Sequence, residues 1–73
     1  MSKIDDRLLE YLEHDGPAPP AIMEKSDTLP FSRNYINKRL LLLKEIQLVQ
    51  EIGNGVYQIT EKGREYLSGD ADL

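Results

Sequence analysis

The sequence predicts a mainly α-helical domain with one small β-hairpin, in the order helix, helix, helix, hairpin, helix. Three observations carry this. Apolar residues recur at helical spacing near the N-terminus and again over 33–46. Two β-prone runs, 48–52 and 56–60, flank Gly53-Asn54-Gly55. Proline and glycine clusters fall between these stretches and not inside them. The 73 residues allow one such domain. A chain this short buries only about 60% of its unfolded surface, so the core must use nearly every apolar side chain.

The first helix is expected over 3–14, where Ile4, Leu8, Tyr11 and Leu12 form an apolar stripe at i, i+4, i+7 and i+8. Ser2 suits its N-cap, Asp5 and Asp6 suit the positive end of its dipole, and Gly16-Pro17 stops it. Pro19 and Pro20 belong at or before a helix's first turn, which places a short second helix at 21–25. Residues 27–31 form a turn, because Pro30 pushes Leu29 out of the helical region. Ser32 then caps a third helix over 33–46. At about 100° per residue, Ile36, Leu40 and Leu43 share a core-facing stripe. Asn34, Asn37, Lys38, Leu41 and Glu45 face the other way, and Arg33, Arg39 and Lys44 flank the stripe.

The Gly-Asn-Gly segment supplies the positive φ that a tight hairpin turn needs. A last short helix starts from Thr60 as its cap and runs to Leu67, so the folded domain spans 1–67 and a polar, frayed tail covers 68–73. An isolated hairpin is marginal in water and must pack on the helices. Three helices followed by a hairpin is the winged helix-turn-helix arrangement, whose third helix enters the major groove of DNA.

Net charge is −4, which opposes phosphate binding, but its distribution is uneven. Residues 1–27 hold three basic and seven acidic side chains, and residues 45–73 hold two and six. Between them Arg33, Lys38, Arg39 and Lys44 stand with no acid at all. Composition also removes whole function classes. The absence of cysteine excludes disulfides, thiolate metal sites and cysteine nucleophiles. No apolar run reaches the roughly 18 residues that span a bilayer. The N-terminus has no signal-peptide core, so a soluble cytoplasmic protein is expected. His14, the only histidine, sits at a helix end between Glu13 and Asp15, where a solvated, dipole-favoured imidazole is expected. No triad, metal cluster or phosphate-cradling glycine loop is present, so the chain reads as a non-enzyme without metal, cofactor or small-molecule ligand.

DNA bases are read by side chains that present donors and acceptors from a helix in the groove. Arg33, Asn34, Asn37 and Lys38, all in the first half of helix three, fit that role. Ser32, Tyr35, Arg39 and Lys44 are placed for phosphate contacts, with Tyr35 equally suited to packing on helix two. The wing tip, Gly53, Asn54 and Gly55, has no basic residue nearby. It could meet a phosphate only through backbone N–H groups or the Asn54 amide. Leu41 and Leu42 exceed what one core stripe requires. They suit a thymine methyl, the underside of the wing or a subunit interface. A homodimer is expected, through helix one or through Tyr66 and Leu67, matching a pseudo-palindromic site.

Several segments carry a resemblance: Asp6-Arg7-Leu8-Leu9-Glu10-Tyr11-Leu12, Gly16-Pro17-Ala18, Ser32-Arg33-Asn34-Tyr35-Ile36-Asn37-Lys38-Arg39-Leu40, Leu48-Val49, and Gly55 through Leu67. Together they resemble small archaeal winged-helix proteins, in particular the repressor-like proteins of haloarchaeal phages. The Thr60-Glu61-Lys62-Gly63-Arg64 ending is common to many winged-helix regulators; the Ser32-to-Leu40 block is more discriminating. The resemblance implies that helix three reads DNA and that the protein represses transcription. Gln47 stands where such proteins usually have a helix-ending glycine, Pro19 replaces the usual cap residue, and 28–31 reads as an altered turn. Overall acidity and the wing without basic residues leave a second reading open, a winged-helix protein-interaction module that does not bind DNA.

Overall fold

The computed structural model describes residues 3–69 and places the elements in the order α1 (Lys3–Asp15), α2 (Pro20–Met23), α3 (Arg33–Glu45), β1 (Val49–Glu51), β2 (Tyr57–Ile59) and α4 (Glu61–Ser68). This is the winged-helix arrangement that the sequence predicts. The expected Ser2 cap and most of the expected tail lie outside the described residues. Ser68, read as tail, closes α4, and Gly69 at φ 84° ends that helix in the left-handed conformation.

The core joins all elements. Ile4, Leu8, Leu9 and Leu12 come from α1, Met23 from α2, and Ile36, Leu40 and Leu43 from α3. Leu48, Val49, Tyr57 and Ile59 come from the hairpin region. Leu9 is fully enclosed, whereas Tyr11, expected in the stripe, is only partly buried at its edge. Leu29 is also buried and pins the long connection between α2 and α3 to the core. The second helix begins one residue early, with Pro20 in its first turn, and ends at Met23 instead of Lys25. No side chain caps it at Pro19; the Pro19 carbonyl itself accepts from the Ile22 and Met23 N–H groups.

β1 and β2 pair antiparallel, with Val49 opposite Ile59 and Glu51 opposite Tyr57. A third short edge comes from the segment after α1. Ala18 and Tyr57 exchange both backbone hydrogen bonds at 3.0 Å. This bridge ties the wing to the first helix.

The end of α3 is built with unusual completeness. Leu48 N–H donates to the Leu43 carbonyl and Gln47 N–H to that of Lys44, the paired bonds of a Schellman termination. That motif needs a left-handed residue after the helix, and Gln47 adopts it at φ 67°. Glutamine therefore performs the glycine's conformational task. The carbonyls beyond are taken up by the start of α4. Lys62 Nζ donates to Ile46 O, the Thr60 hydroxyl to Gln47 O, and Thr60 N–H to Leu48 O. The same Thr60 oxygen accepts from Gly63 N–H as the N-cap of α4.

Candidate nucleic-acid interface

The third helix starts at Ser32, whose hydroxyl accepts from Tyr35 N–H at 3.2 Å while its own hydrogen stays free to donate. A second partner, a carboxylate, comes from the residue that ends α2. Glu24 Oε2 accepts from Arg33 N–H at 2.8 Å, so the helix's positive end is capped by a neighbouring element. Phe31 and Tyr35 meet edge-on, with centroids 6.0 Å apart and planes at 71°. This contact sets the entry of the chain into α3 and accounts for the Tyr35 ring, whose outer part is solvent-exposed.

Arg33, Asn34, Asn37 and Lys38 all lie exposed on one side of α3, spread over roughly 140° of the helix surface. Among the described residues, none of these four side chains makes a hydrogen bond or ion pair within the chain. They form a continuous surface of free donors and acceptors in the first two turns.

Two of the four phosphate residues expected from sequence are differently placed. Arg39 turns toward α1, where its Nε and Nη2 donate to the two carboxylate oxygens of Asp5 at 2.9 and 2.7 Å. Asp5 is 0% exposed and Arg39 keeps 26% of its side chain in contact with solvent. The hydrogen bond to Asp5 raises the Arg39 pKa above its ordinary value. Arg39 is thus an inter-helix tie and not a free phosphate ligand. Lys44 donates to Glu51 Oε1 at 3.1 Å, and Glu51 Oε2 accepts from Gly55 N–H at 2.9 Å. The Lys44 bond first and the Gly55 bond second hold the Glu51 carboxyl below its usual range. One carboxylate therefore links α3 to the wing turn.

The block that is free of acids along the chain is not free of them in space. Asp5, Glu24 and Glu51 arrive from α1, the end of α2 and β1. Two unpaired cations remain on α3, Arg33 and Lys38. Asp5 is 34 residues from Arg39, and Glu24 and Glu51, nine and seven residues from their partners, are brought in only by the turns that separate their elements from α3.

At the wing tip, Gly53 and Gly55 take φ values of 76° and 79°, and Ile52 N–H closes the turn on Val56 O at 2.7 Å. Gly55 N–H is spent on Glu51, which removes one of the backbone donors expected there for a phosphate. Asn54 is exposed. Tyr66 and Leu67, expected at a subunit contact, pack partly buried on the chain's own core, and the Tyr66 hydroxyl donates to Asp6 at 2.9 Å. Among the described residues no group of acids and histidine is arranged to hold a metal ion, and no helix is long and apolar enough to cross a membrane.

No protein-family model matches the sequence, and no curated protein matches it. Among solved structures, the chain is similar to the crystal structure of the PhiH1 repressor-like protein from Haloarcula marismortui. The two share 39% sequence identity and superpose with a TM-score of 0.90, over 94% of this chain and 78% of the other. At that identity and coverage the likeness extends through every element from α1 to α4, and the chain belongs to the family of PhiH1 repressor-like proteins.

Proposed function

We propose that this protein is a sequence-specific DNA-binding regulator, a repressor in the cytoplasm, that lays α3 in the major groove. The observation that carries the proposal is the unpaired surface of Arg33, Asn34, Asn37 and Lys38 in the first half of that helix. Arginine and lysine suit guanine O6 and N7, and asparagine suits adenine N6 and N7 through a bidentate pair. The repressor-like name of the Haloarcula relative supports the same reading. Ser32 and Tyr35, exposed at the head of the helix, are assigned to phosphates. Arg39 is withdrawn from that role, and Lys44 is shared with Glu51.

A homodimer on a two-fold site belongs to this proposal. Tyr66 and Leu67 are engaged within the protomer, so α1 remains of the contacts expected from sequence, and Leu42 and Ile46, exposed on the flank of α3 away from Asn37, are assigned a further apolar contribution to the pairing. Sedimentation equilibrium at micromolar concentration gives the oligomeric state directly.

Fluorescence anisotropy against duplex DNA at several salt concentrations tests the main claim. Each phosphate contact removed flattens the slope of log affinity against log salt by about one unit. Lys38→Ala and Arg33→Ala are expected to weaken binding without unfolding the chain. Absence of DNA affinity at low salt, together with a stable protein complex recovered from its host, would replace this reading by that of an interaction module.

A further inference from the structure

The reading face of α3 contains one large apolar side chain, Leu41, and it is 48% exposed. The core does not require it, since Ile36, Leu40 and Leu43 fill the buried side of the helix. The wing does not cover it either, which removes one of the roles open to it from sequence. Leu42 lies about 100° away around the helix and belongs to a different surface. Leu41 instead lies about 40° from Asn37 and about 20° from Asn34. An aliphatic side chain is set among asparagines.

The major groove presents one apolar group, the C5-methyl of thymine. Asparagine, for its part, is matched to the N6 and N7 edge of adenine. The two residue types side by side are the chemical complement of a segment containing A·T pairs. Asn37 and Leu41 are separated by four residues, a rise of about 6 Å along the helix. At about 3.4 Å per base pair, that spans two base steps. Beyond Leu41 the next exposed group on this side is the acid Glu45, which disfavours further approach to phosphates.

We infer that Leu41 is a specificity-determining residue that contacts a thymine methyl within about two base pairs of the adenine read by Asn37. This role rests on the DNA-reading function proposed for α3.

Replacing thymine by uracil removes the methyl and leaves every hydrogen-bonding group in place, so it isolates the contact. A binding site would be selected from a randomised duplex library with the full chain. Each thymine of the selected site is then replaced singly by uracil, and affinities are measured for the wild type and Leu41→Ala. One thymine is expected to show a three- to fivefold loss with the wild type, about the worth of one buried methyl. The same substitution is expected to make no difference to Leu41→Ala, whose fold is checked by its melting curve. A library that yields no bound DNA overturns the proposed function and this role with it. Bound DNA without any uracil effect, or with an effect unchanged in Leu41→Ala, overturns the role of Leu41 alone.

Discussion

Asp5 and Arg39 join α1 to α3 through two parallel hydrogen bonds of 2.9 and 2.7 Å, with the carboxylate wholly enclosed. The consequences of breaking the pair are asymmetric. Arg39→Ala leaves a charge buried with its main counter-ion gone, at a cost of about 3 kcal/mol, and urea unfolding measures it. Asp5→Ala leaves a guanidinium that already reaches water, and costs less. Replacing both residues by apolar ones of similar size, Asp5→Leu with Arg39→Met, is expected to recover most of the loss. If Arg39→Ala were as stable as the wild type but bound DNA with a flatter salt slope, the phosphate role would return to Arg39.

Gly63 shows a similar dependence on one neighbour. A Cβ added there would fall inside contact distance of the Leu48 carbonyl oxygen and 2.6 Å from Ile59 Cγ1. The Ile59 side chain can shift, but the carbonyl is fixed by the bond it accepts from Thr60 N–H. Gly63→Ala is therefore expected to cost about 3 kcal/mol through overpacking. In a domain of this size that lowers the melting temperature by more than about 10 °C. Calorimetry on the variant checks it, and an unchanged melting point would show that α4 can slide away from the end of α3.

The order of elements was legible because it depends on local rules. Periodicity marked α1 and α3, prolines bounded α2, and paired glycines marked the wing. The missed features depend on how separate elements meet. The Ala18 edge strand is a single bridge with no pattern of its own. Leu29 reads as part of a turn, since nothing nearby in sequence shows that the turn folds back over the core. The candidate site was half legible. Composition pointed to α3 as the candidate reading face, but the acids that take up Arg39 and Lys44 come from 34 and seven residues away. Gln47 is the opposite case. Its residue type argued against a glycine-like termination, yet the bonds from Thr60 and Lys62 to the adjoining carbonyls hold it at a positive φ.

Alkali should loosen the fold through two tyrosines. The hydrogen bond to Asp6, and burial after it, raise the Tyr66 pKa above its ordinary value of 10.0. Burial, followed by the charge of Glu51, raises that of Tyr57. In the unfolded chain both ionise near the ordinary value, so the unfolded state loses its protons first. Their contribution is complete below about pH 10 and is lost as pH rises through the folded values. Urea midpoints are thus expected to fall as pH rises above about 10. The fall should be smaller in Tyr66→Phe, which has one such group fewer. A midpoint that declines equally in both proteins would show that Tyr66 ionises as freely folded as unfolded.

The Glu51 latch leads to a variant that should bind DNA better than the wild type. Glu51→Gln keeps an oxygen to accept from Gly55 N–H but removes the charge that holds Lys44. Freed, the Lys44 ammonium sits in the last turn of α3, about 16 Å along the helix from Arg33, and is available to a phosphate. Affinity is expected to rise, and the log-log salt slope to steepen by about one unit. Low pH should act in the same direction as long as the fold holds. The depressed Glu51 pKa means that the latch is complete above its ordinary value of 4.5 and opens only as pH falls through the lower folded value. At neutral pH the latch is closed, so the mutation, and not the medium, is the way to open it. Anisotropy titrations of Glu51→Gln and of Glu51→Gln with Lys44→Ala decide the matter. The double variant should lose the whole gain, whereas a gain that survives without Lys44 would trace to the altered net charge of the wing.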